Sequence, residues 1–138
     1  MKRHVLFTVL LAGLFLVSCQ NPEKSRVAYD QGIRMMYNQS KFAEAEQQFT
    51  KAIKYDKTNY EAYYYRGCTK FNRAMYDEAL EDFNLALQVK PDYADAEFVI
   101  GRVYLLRFDF EKACEHFTRA QELGRPNLED EIKNACNR

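Results

Sequence analysis

Residues 60–93 read YEAYYYRGCTKFNRAMYDEALEDFNLALQVKPDY, and the landmarks of this stretch recur on both sides of it about 34 residues away. The recurring positions carry either alanine or an aromatic residue. In chain order they are Ala45, Ala79 and Ala113; Phe49, Phe83 and Phe117; Ala52, Ala86 and Ala120; and Phe42, Tyr76 and Phe110. The chain therefore contains a three-fold internal repeat.

The composition favours helices in every unit. The 138 residues include only 5 glycines and 3 prolines, and 47% of them are hydrophobic, which is enough for one folded domain. Ala79, Phe83 and Ala86 fall at i, i+4 and i+7 and form one apolar stripe of an amphipathic helix, against which Gly67 would permit close packing. The acidic residues between them are expected to face away from the stripe: Glu78, Glu81 and Asp82.

The central unit resembles the tetratricopeptide repeat. The positions that match the family are Tyr63, Gly67, Tyr76, Ala79, Phe83, Ala86 and Pro91. Arg66 and Lys70 stand where the family usually has Leu and Tyr, and the third unit has Glu97 at the family's aromatic position. The resemblance implies an all-α fold, a right-handed superhelix of three helix-turn-helix units at about 26–59, 60–93 and 94–127.

The first and last parts of the repeat array are less regular. Gly32 comes one residue too early for a first unit counted from Arg26, so either the first helix is shifted by one residue or Ile33 takes the packing position. After the third unit, Gly124 is expected to end a helix. Residues 128–138 are predicted to form a capping helix with Asn127 as N-cap. Its apolar residues would cover the last repeat: Leu128, Ile132 and Ala135.

The N-terminus has the features of an export signal. Lys2 and Arg3 precede an uncharged apolar run at 5–17, which is the length of a signal-peptide core. Residues 16–19, LVSC, resemble the bacterial lipobox, which implies cleavage after residue 18 and acylation of Cys19 by a diacylglycerol and an N-acyl chain. We expect residues 1–18 to be removed and residues 19–25 to be a lipidated tether.

The expected location is the bacterial cell envelope. A lipoprotein of this kind would be membrane-anchored and face the periplasm, and Gln20 after the acylated cysteine favours the outer membrane over the inner one. The full chain has 20 basic and 20 acidic residues, and loss of Lys2 and Arg3 would leave 18 against 20, a net charge of about −2. No clustered basic excess points to a nucleic-acid partner.

The resemblance also implies a site, because in this family the first helices of the units line a groove that binds peptides or partner helices. The residues that it places in the groove are Arg34, Tyr37, Asn38, Tyr64, Phe71, Asn72, Phe98, Arg102 and Leu105. The positions of the family's carboxylate clamp hold Asp30, Arg34, Asp95 and Val99, so binding of chaperone C-termini is not implied. A structural or self-associating role without a groove ligand is the alternative.

Catalysis is not indicated by the sequence. After signal removal His116 is the only histidine, and it is expected on a helix surface with no second His or Cys at metal-ligand spacing. We expect no enzyme activity, cofactor or metal site. For Cys68, Cys114 and Cys136 the expectation is three semi-buried free thiols, with a bridge between Cys114 and Cys136 as the alternative.

Overall fold

The computed structural model describes residues 20–137, and within this range all regular structure is helical. The helices follow one another along a single stack, each one packed against the next. In chain order they are α1 (Pro22–Gln39), α2 (Phe42–Tyr55), α3 (Tyr60–Asn72), α4 (Tyr76–Val89), α5 (Ala94–Leu106), α6 (Phe110–Glu122) and α7 (Glu129–Cys136). The helices α1 to α6 are three antiparallel hairpins, which confirms the predicted all-α repeat architecture.

Each hairpin is held together by a glycine on its first helix and a buried phenylalanine on its second. In the central hairpin, a Cβ atom at Gly67 would lie 2.6 Å from Cε1 of Phe83. The same contact occurs between Gly32 and Phe49 and between Gly101 and Phe117. Glycine is needed here because the ring occupies the space of a side chain, so the helices approach more closely than any larger residue would allow.

The contact between Gly32 and Phe49 settles the register of the first hairpin. Gly32 is the structural counterpart of Gly67 and Gly101, so the first helix is shifted by one residue and Ile33 does not take the packing position. The extra residue is absorbed between α1 and α2, where Ser40 ends α1 with a left-handed φ of 51°. Counting the first unit from Arg26 therefore misassigns the positions on α1 by one residue.

The predicted tether is shorter than expected, because α1 begins at Pro22. Asn21 caps this helix by accepting a hydrogen bond from the Lys24 amide at 2.9 Å, and Pro22 fits the first turn, where no amide donor is needed. Ser25 is buried and donates from its hydroxyl to the Ala52 carbonyl at 2.9 Å. Residues 22–25 thus belong to the folded domain, and the sequence lacked apolar periodicity there because the inward-facing residue is a serine.

An ion cluster explains the two family departures in the central unit. Asp82, which was expected to face away from the packed stripe, is only 1% exposed. Its carboxylate pairs with Arg66 at 2.5 Å and with Lys70 at 2.7 Å, and both partners lie on α3. Arg66 and Lys70 replace the usual Leu and Tyr because they neutralise a carboxylate inside the hairpin.

The third hairpin places a different polar pair at the corresponding point. His116, 34 residues after Asp82, lies with Nδ1 2.7 Å from Oε2 of Glu97, and its ring stacks on Tyr104 at 5.5 Å. His116 is half-buried rather than a plain surface residue. Glu97 at the family's aromatic position is thereby explained, since its carboxylate has a partner on the facing helix.

The C-terminal helix covers the third hairpin as predicted. Ala135 is buried with Ala113 and Phe117, and Ile132 packs on the same group. The cap was assigned wrongly, because Asn127 adopts a left-handed φ of 59° and Leu128 is the N-cap residue. Gly124 ends α6 with a φ of +92°, which confirms its predicted role.

A disulfide joins α6 to α7, so the expectation of three free thiols was wrong. Cys114 and Cys136 are bonded, with their Cα atoms 5.0 Å apart, and Cys68 is a free thiol. Helix geometry within the repeats gave no adjacent pair, because the position of the capping helix beside α6 does not follow from the repeat pattern. The bridge fixes the covering helix to the repeat that it protects.

Loss of this disulfide should destabilise the C-terminal end. The bridge closes a segment with a sequence separation of 22 residues, for which the chain-entropy model gives about 3 kcal/mol. We expect the double variant Cys114→Ser/Cys136→Ser to lose about this much free energy of unfolding in urea. Cys68→Ser is the matched control. The denatured protein should show two fewer free thiols before reduction than after it, and equal counts would contradict the bridge.

Candidate functional site

The candidate site is the face formed by α1, α3 and α5, called here the inner face. Aromatic and cationic contacts link these three helices directly to one another. Tyr29 on α1 lies 5.7 Å from Tyr65 on α3 between ring centroids, and the guanidinium of Arg102 on α5 lies 5.3 Å from the centroid of Phe71 on α3. The inner face is therefore one continuous surface across all three hairpins.

Tyrosine side chains dominate the half of this face nearest α1. Tyr65 is the central ring: it stacks on Phe49 of the preceding hairpin at 5.9 Å and meets Tyr64 edge to face at 5.0 Å. Tyr37 projects furthest and is 67% exposed. Such amphipathic rings give a partner both apolar area and hydroxyl groups. The tyrosines of this cluster are Tyr29, Tyr37, Tyr64, Tyr65 and Tyr93.

The Tyr64 hydroxyl and the Cys68 thiol are neutral at physiological pH. Burial, and next the Cys68 thiol, raises the pKa of Tyr64 above its ordinary value. Burial also raises the pKa of Cys68 to about 12, although the Tyr64 hydroxyl and the charge of Arg102 act in the opposite direction. A thiol with such a pKa is a poor nucleophile, because the reactive form is the thiolate. This part of the face is suited to binding by hydrogen bonds and apolar contact.

Arg102 supplies a positive charge to the α5 side of the inner face. Its guanidinium lies over two rings, 5.3 Å from the centroid of Phe71 and 5.9 Å from that of Phe98. Among residues 20–137 no carboxylate lies within 4.0 Å of it, and the side chain is exposed. An arginine held against aromatic rings without an acidic partner can bind a carboxylate of another molecule.

The structure brings some of the predicted groove residues together and separates others. Phe71, Phe98 and Arg102 form one contact group, and Asn72 lies beside it, although its amide already donates to the Cys68 carbonyl at 2.8 Å. Leu105 packs partly against the buried group of Ala113, Phe117 and Ala135, which also holds α7. Arg125 lies over Phe98 at 3.9 Å and pairs with Asp95.

The corrected register changes the groove positions of the first hairpin. When Gly32 is aligned with Gly67, each groove position on α1 shifts back by one residue. Ile33 and Tyr37 then replace the exposed Arg34 and Asn38, and Tyr29 enters the groove. Tyr37 is included in either register. Tyr29 could have been predicted from the sequence. Aligning Gly32, Gly67 and Gly101, instead of counting a constant repeat length from Arg26, places Tyr29 in the groove.

Two other tyrosines of the inner face were not predicted. Tyr65 follows a predicted groove position and reaches back to Phe49 of the preceding hairpin, a contact that depends on how one repeat stacks on the next. Tyr93 precedes α5 and meets Tyr64 edge to face at 5.0 Å. Neither position belongs to the family's groove pattern, so the resemblance gave no reason to choose them.

The part of the chain that the structure describes shows neither a metal site nor a membrane span. Within residues 20–137 no three His, Cys, Asp or Glu side chains cluster as metal ligands would. None of α1 to α7 has the length and apolar character needed to cross a bilayer. The predicted acylation site, Cys19, lies outside the described residues.

Comparison with known proteins places the repeats in a family. Two models described as tetratricopeptide repeat match, one at residues 49–81 and the other at residues 70–127. Tetratricopeptide repeat protein 13 of Homo sapiens is 35% identical over 63 residues, which is 46% of this chain but only 7% of the human protein. The chain thus corresponds to a small part of that relative.

Solved structures share the fold at low sequence identity. The first TPR of Spaghetti (RPAP3) bound to an HSP90 peptide is 24% identical, with a TM-score of 0.80 over 86% of this chain and 95% of that one. The Sgt2 TPR domain from Aspergillus fumigatus is 19% identical, with a TM-score of 0.77 over 87% of this chain and 82% of that one. Residues 49–127 are therefore tetratricopeptide repeats, and the described chain has an all-α tetratricopeptide-repeat fold.

Proposed function

We propose that this protein is a non-catalytic adaptor that binds an extended segment of a partner protein on its inner face. The observation that carries the proposal is the unpaired Arg102 guanidinium resting on Phe71 and Phe98, next to a tyrosine-rich surface. A cation on an aromatic floor offers charge, hydrogen bonding and apolar area to one peptide. The similar Spaghetti domain, which was solved with an HSP90 peptide, supports peptide binding by this fold.

The partner would differ in chemistry from a chaperone tail. In the corrected register the clamp positions of the first unit are Tyr29 and Ile33, neither of which can pair with a carboxylate as the clamp's Lys does. In the third unit, Asp95 is already paired with Arg125. Arg102 is then the anion-binding group that rests on the aromatic floor of the inner face. We expect a segment with one acidic group and neighbouring apolar or aromatic side chains.

Partner binding should depend on Arg102 and Phe71. We expect Phe71→Ala/Arg102→Ala to weaken the affinity for an identified partner segment at least about 30-fold, because aromatic and arginine anchors carry most of an interface's free energy. Phe98→Ala is a poorer probe, since this ring also contacts the buried Phe117. Isothermal titration calorimetry measures the affinity directly.

The matched control changes two exposed residues on second helices. Glu81→Ala/Arg119→Ala should leave the affinity within about twofold, since neither residue belongs to the inner face. Circular dichroism would establish that both double variants are folded. Equal loss of affinity in the two variants, or none in either, would move the binding site away from the inner face.

We further propose that the adaptor is held at the bacterial envelope by acyl chains on Cys19, facing the periplasm and at the outer membrane. The basic start, the apolar run at 5–17 and the lipobox at 16–19 support this. Two or more chains give stable anchoring, whereas one chain would be marginal. The protein would thus present its inner face to partners close to a membrane.

Replacing the acylated residue tests this anchor. Cys19→Ala should abolish acylation and leave an uncleaved or soluble protein, whereas Cys68→Ala should remain processed and membrane-bound. Membrane fractionation together with the intact mass of the purified protein distinguishes these products. A cleaved Cys19→Ala product that stays attached to the membrane would contradict the lipid anchor.

Self-association is the second candidate, and the asymmetry of the stack favours it. The C-terminal end is covered by α7, but no helix among the described residues covers the outer side of α1, where Val27 is 52% exposed. A second copy could pack there. Concentration-dependent light scattering without a partner would support this role, and Val27→Glu should then abolish it.

A further inference from the structure

One edge of the repeat stack contains the starts of α1, α3 and α5 and the ends of α2, α4 and α6; we call it the anchor edge. Side-chain and backbone contacts join its parts in sequence. The backbone N–H of Asn21 donates to the Tyr55 carbonyl at 2.7 Å, and the side-chain amide of Asn59 donates to the Ser25 hydroxyl at 3.0 Å. Further along, Lys90 lies 4.7 Å from the centroid of Tyr60. The start of α1 is thus fixed to the rest of this edge.

The proposed acylation site is separated from this edge by a single residue, Gln20, in the sequence. Cys19 precedes Asn21 by two residues, and consecutive Cα atoms are 3.8 Å apart, so the two Cα atoms are at most about 8 Å apart. Because Asn21 already caps α1, no flexible tether separates the lipid from the fold. Acylation at Cys19 would therefore hold the anchor edge at the membrane surface, an inference that rests on the proposed lipid anchor.

The corner of the anchor edge nearest Cys19 has the chemistry of a headgroup-binding surface. Four exposed lysines lie there, and within residues 20–137 none has a carboxylate within 4.0 Å: Lys24, Lys51, Lys54 and Lys57. Tyr55, which is 36% exposed, lies among them with its ring centroid 5.8 Å from Nζ of Lys24. Clustered lysines attract anionic lipids, and tyrosine prefers the membrane–water interface.

Two more features favour this corner over the rest of the edge. A cavity of about 430 Å³ lies between α1 and α2, and its lining includes Val27, Tyr55, Lys24 and Lys51 together with one carboxylate, that of Glu23. At the opposite end of the same edge, α7 begins with three acidic residues, Glu129, Asp130 and Glu131. An anionic membrane would attract the first end and repel the second.

We propose that the corner around Tyr55 docks on anionic phospholipid headgroups and that the α7 end of the anchor edge is tilted away from the membrane. The lipid then determines orientation as well as location. The loops between the two helices of each hairpin lie at the opposite edge and point away from the bilayer. Because an edge of the stack is used for docking, the inner face stays open to a partner protein.

The absence of tryptophan from the chain provides a direct test. Tyr55→Trp creates a single reporter at the corner, and Phe108→Trp creates the matched reporter at the opposite edge, where Phe108 is 78% exposed. Each acylated full-length product is reconstituted into phosphatidylethanolamine vesicles containing phosphatidylglycerol and brominated lipid. We expect the Tyr55→Trp reporter to be quenched at least about threefold more than the Phe108→Trp reporter.

Charge variants separate docking from simple attachment. Adding Lys54→Glu/Lys57→Glu to the Tyr55→Trp protein should reduce its quenching by about half, whereas Lys41→Glu at the opposite edge should leave it unchanged. Equal quenching of the two reporters in acylated protein would overturn the docking proposal and leave the anchor intact. An intact mass without acyl chains on Cys19 would overturn the anchor itself and the orientation with it.

Discussion

Gly67→Leu is expected to destabilise the repeat domain by at least about 3 kcal/mol, enough to leave much of it unfolded at room temperature. Even the first atom of the new side chain would lie 2.6 Å from the ring of Phe83, which is fully buried and cannot move aside. Three repeats are the least that give a stable stack, so the domain has little stability in reserve. Urea unfolding followed by circular dichroism measures the loss.

Two further variants test the packing assignment. Ala79→Leu fills another fully buried position and should also destabilise the domain, whereas Ala43→Leu adds the same side chain to an exposed position on α2. The exposed change should stay within about 0.5 kcal/mol of the parent. Unchanged stability of the Gly67→Leu protein would mean that the close approach of α3 and α4 is assigned wrongly.

Asp82→Ala is the second change with a large expected effect, a loss of about 3 to 5 kcal/mol. The carboxylate is 1% exposed and has two cationic partners, Arg66 and Lys70, which would be left largely buried without a counter-charge. Asp77→Ala removes a surface ion pair with Arg107 instead and should cost less than about 1 kcal/mol. Urea denaturation of the two variants provides the comparison.

Restoring the family's usual residues should reverse this loss. In Arg66→Leu/Lys70→Tyr/Asp82→Ala all three charges are gone and the family's Leu and Tyr return to the hairpin. Replacing a buried ion cluster by apolar residues is commonly neutral or stabilising. We expect the triple variant to be within about 1 kcal/mol of the parent, and a variant as unstable as Asp82→Ala would contradict the charge explanation.

The repeat pattern predicted the contacts that occur within one unit. The alanine and phenylalanine spacing located the packed stripe, and Gly67 was correctly assigned to a close helix contact. The repeat pattern did not predict contacts that depend on polar side chains. Asp82 was expected to face away because it does not belong to the apolar stripe of Ala79, Phe83 and Ala86. Its burial is explained by its two cationic partners on α3.

Contacts between units were the other source of error. Tyr65 and Tyr93 joined the inner face through rings on neighbouring elements, and the bridge between Cys114 and Cys136 depends on where the capping helix lies. A repeat pattern specifies each hairpin and leaves such packing open. The register of α1 was an exception, because aligning Gly32 with Gly67 would have resolved it from the sequence.

Site-specific photo-crosslinking of the acylated protein in its native envelope tests the central claim most directly. A photoreactive phenylalanine analogue is placed on the inner face at Tyr37 or Asn72, both of which are exposed, and on a second helix at the exposed Glu81. We predict that the two inner positions give one common adduct, which disappears when Arg102→Ala is added, and that Glu81 gives none. An adduct from Glu81 alone would show that the partner binds elsewhere.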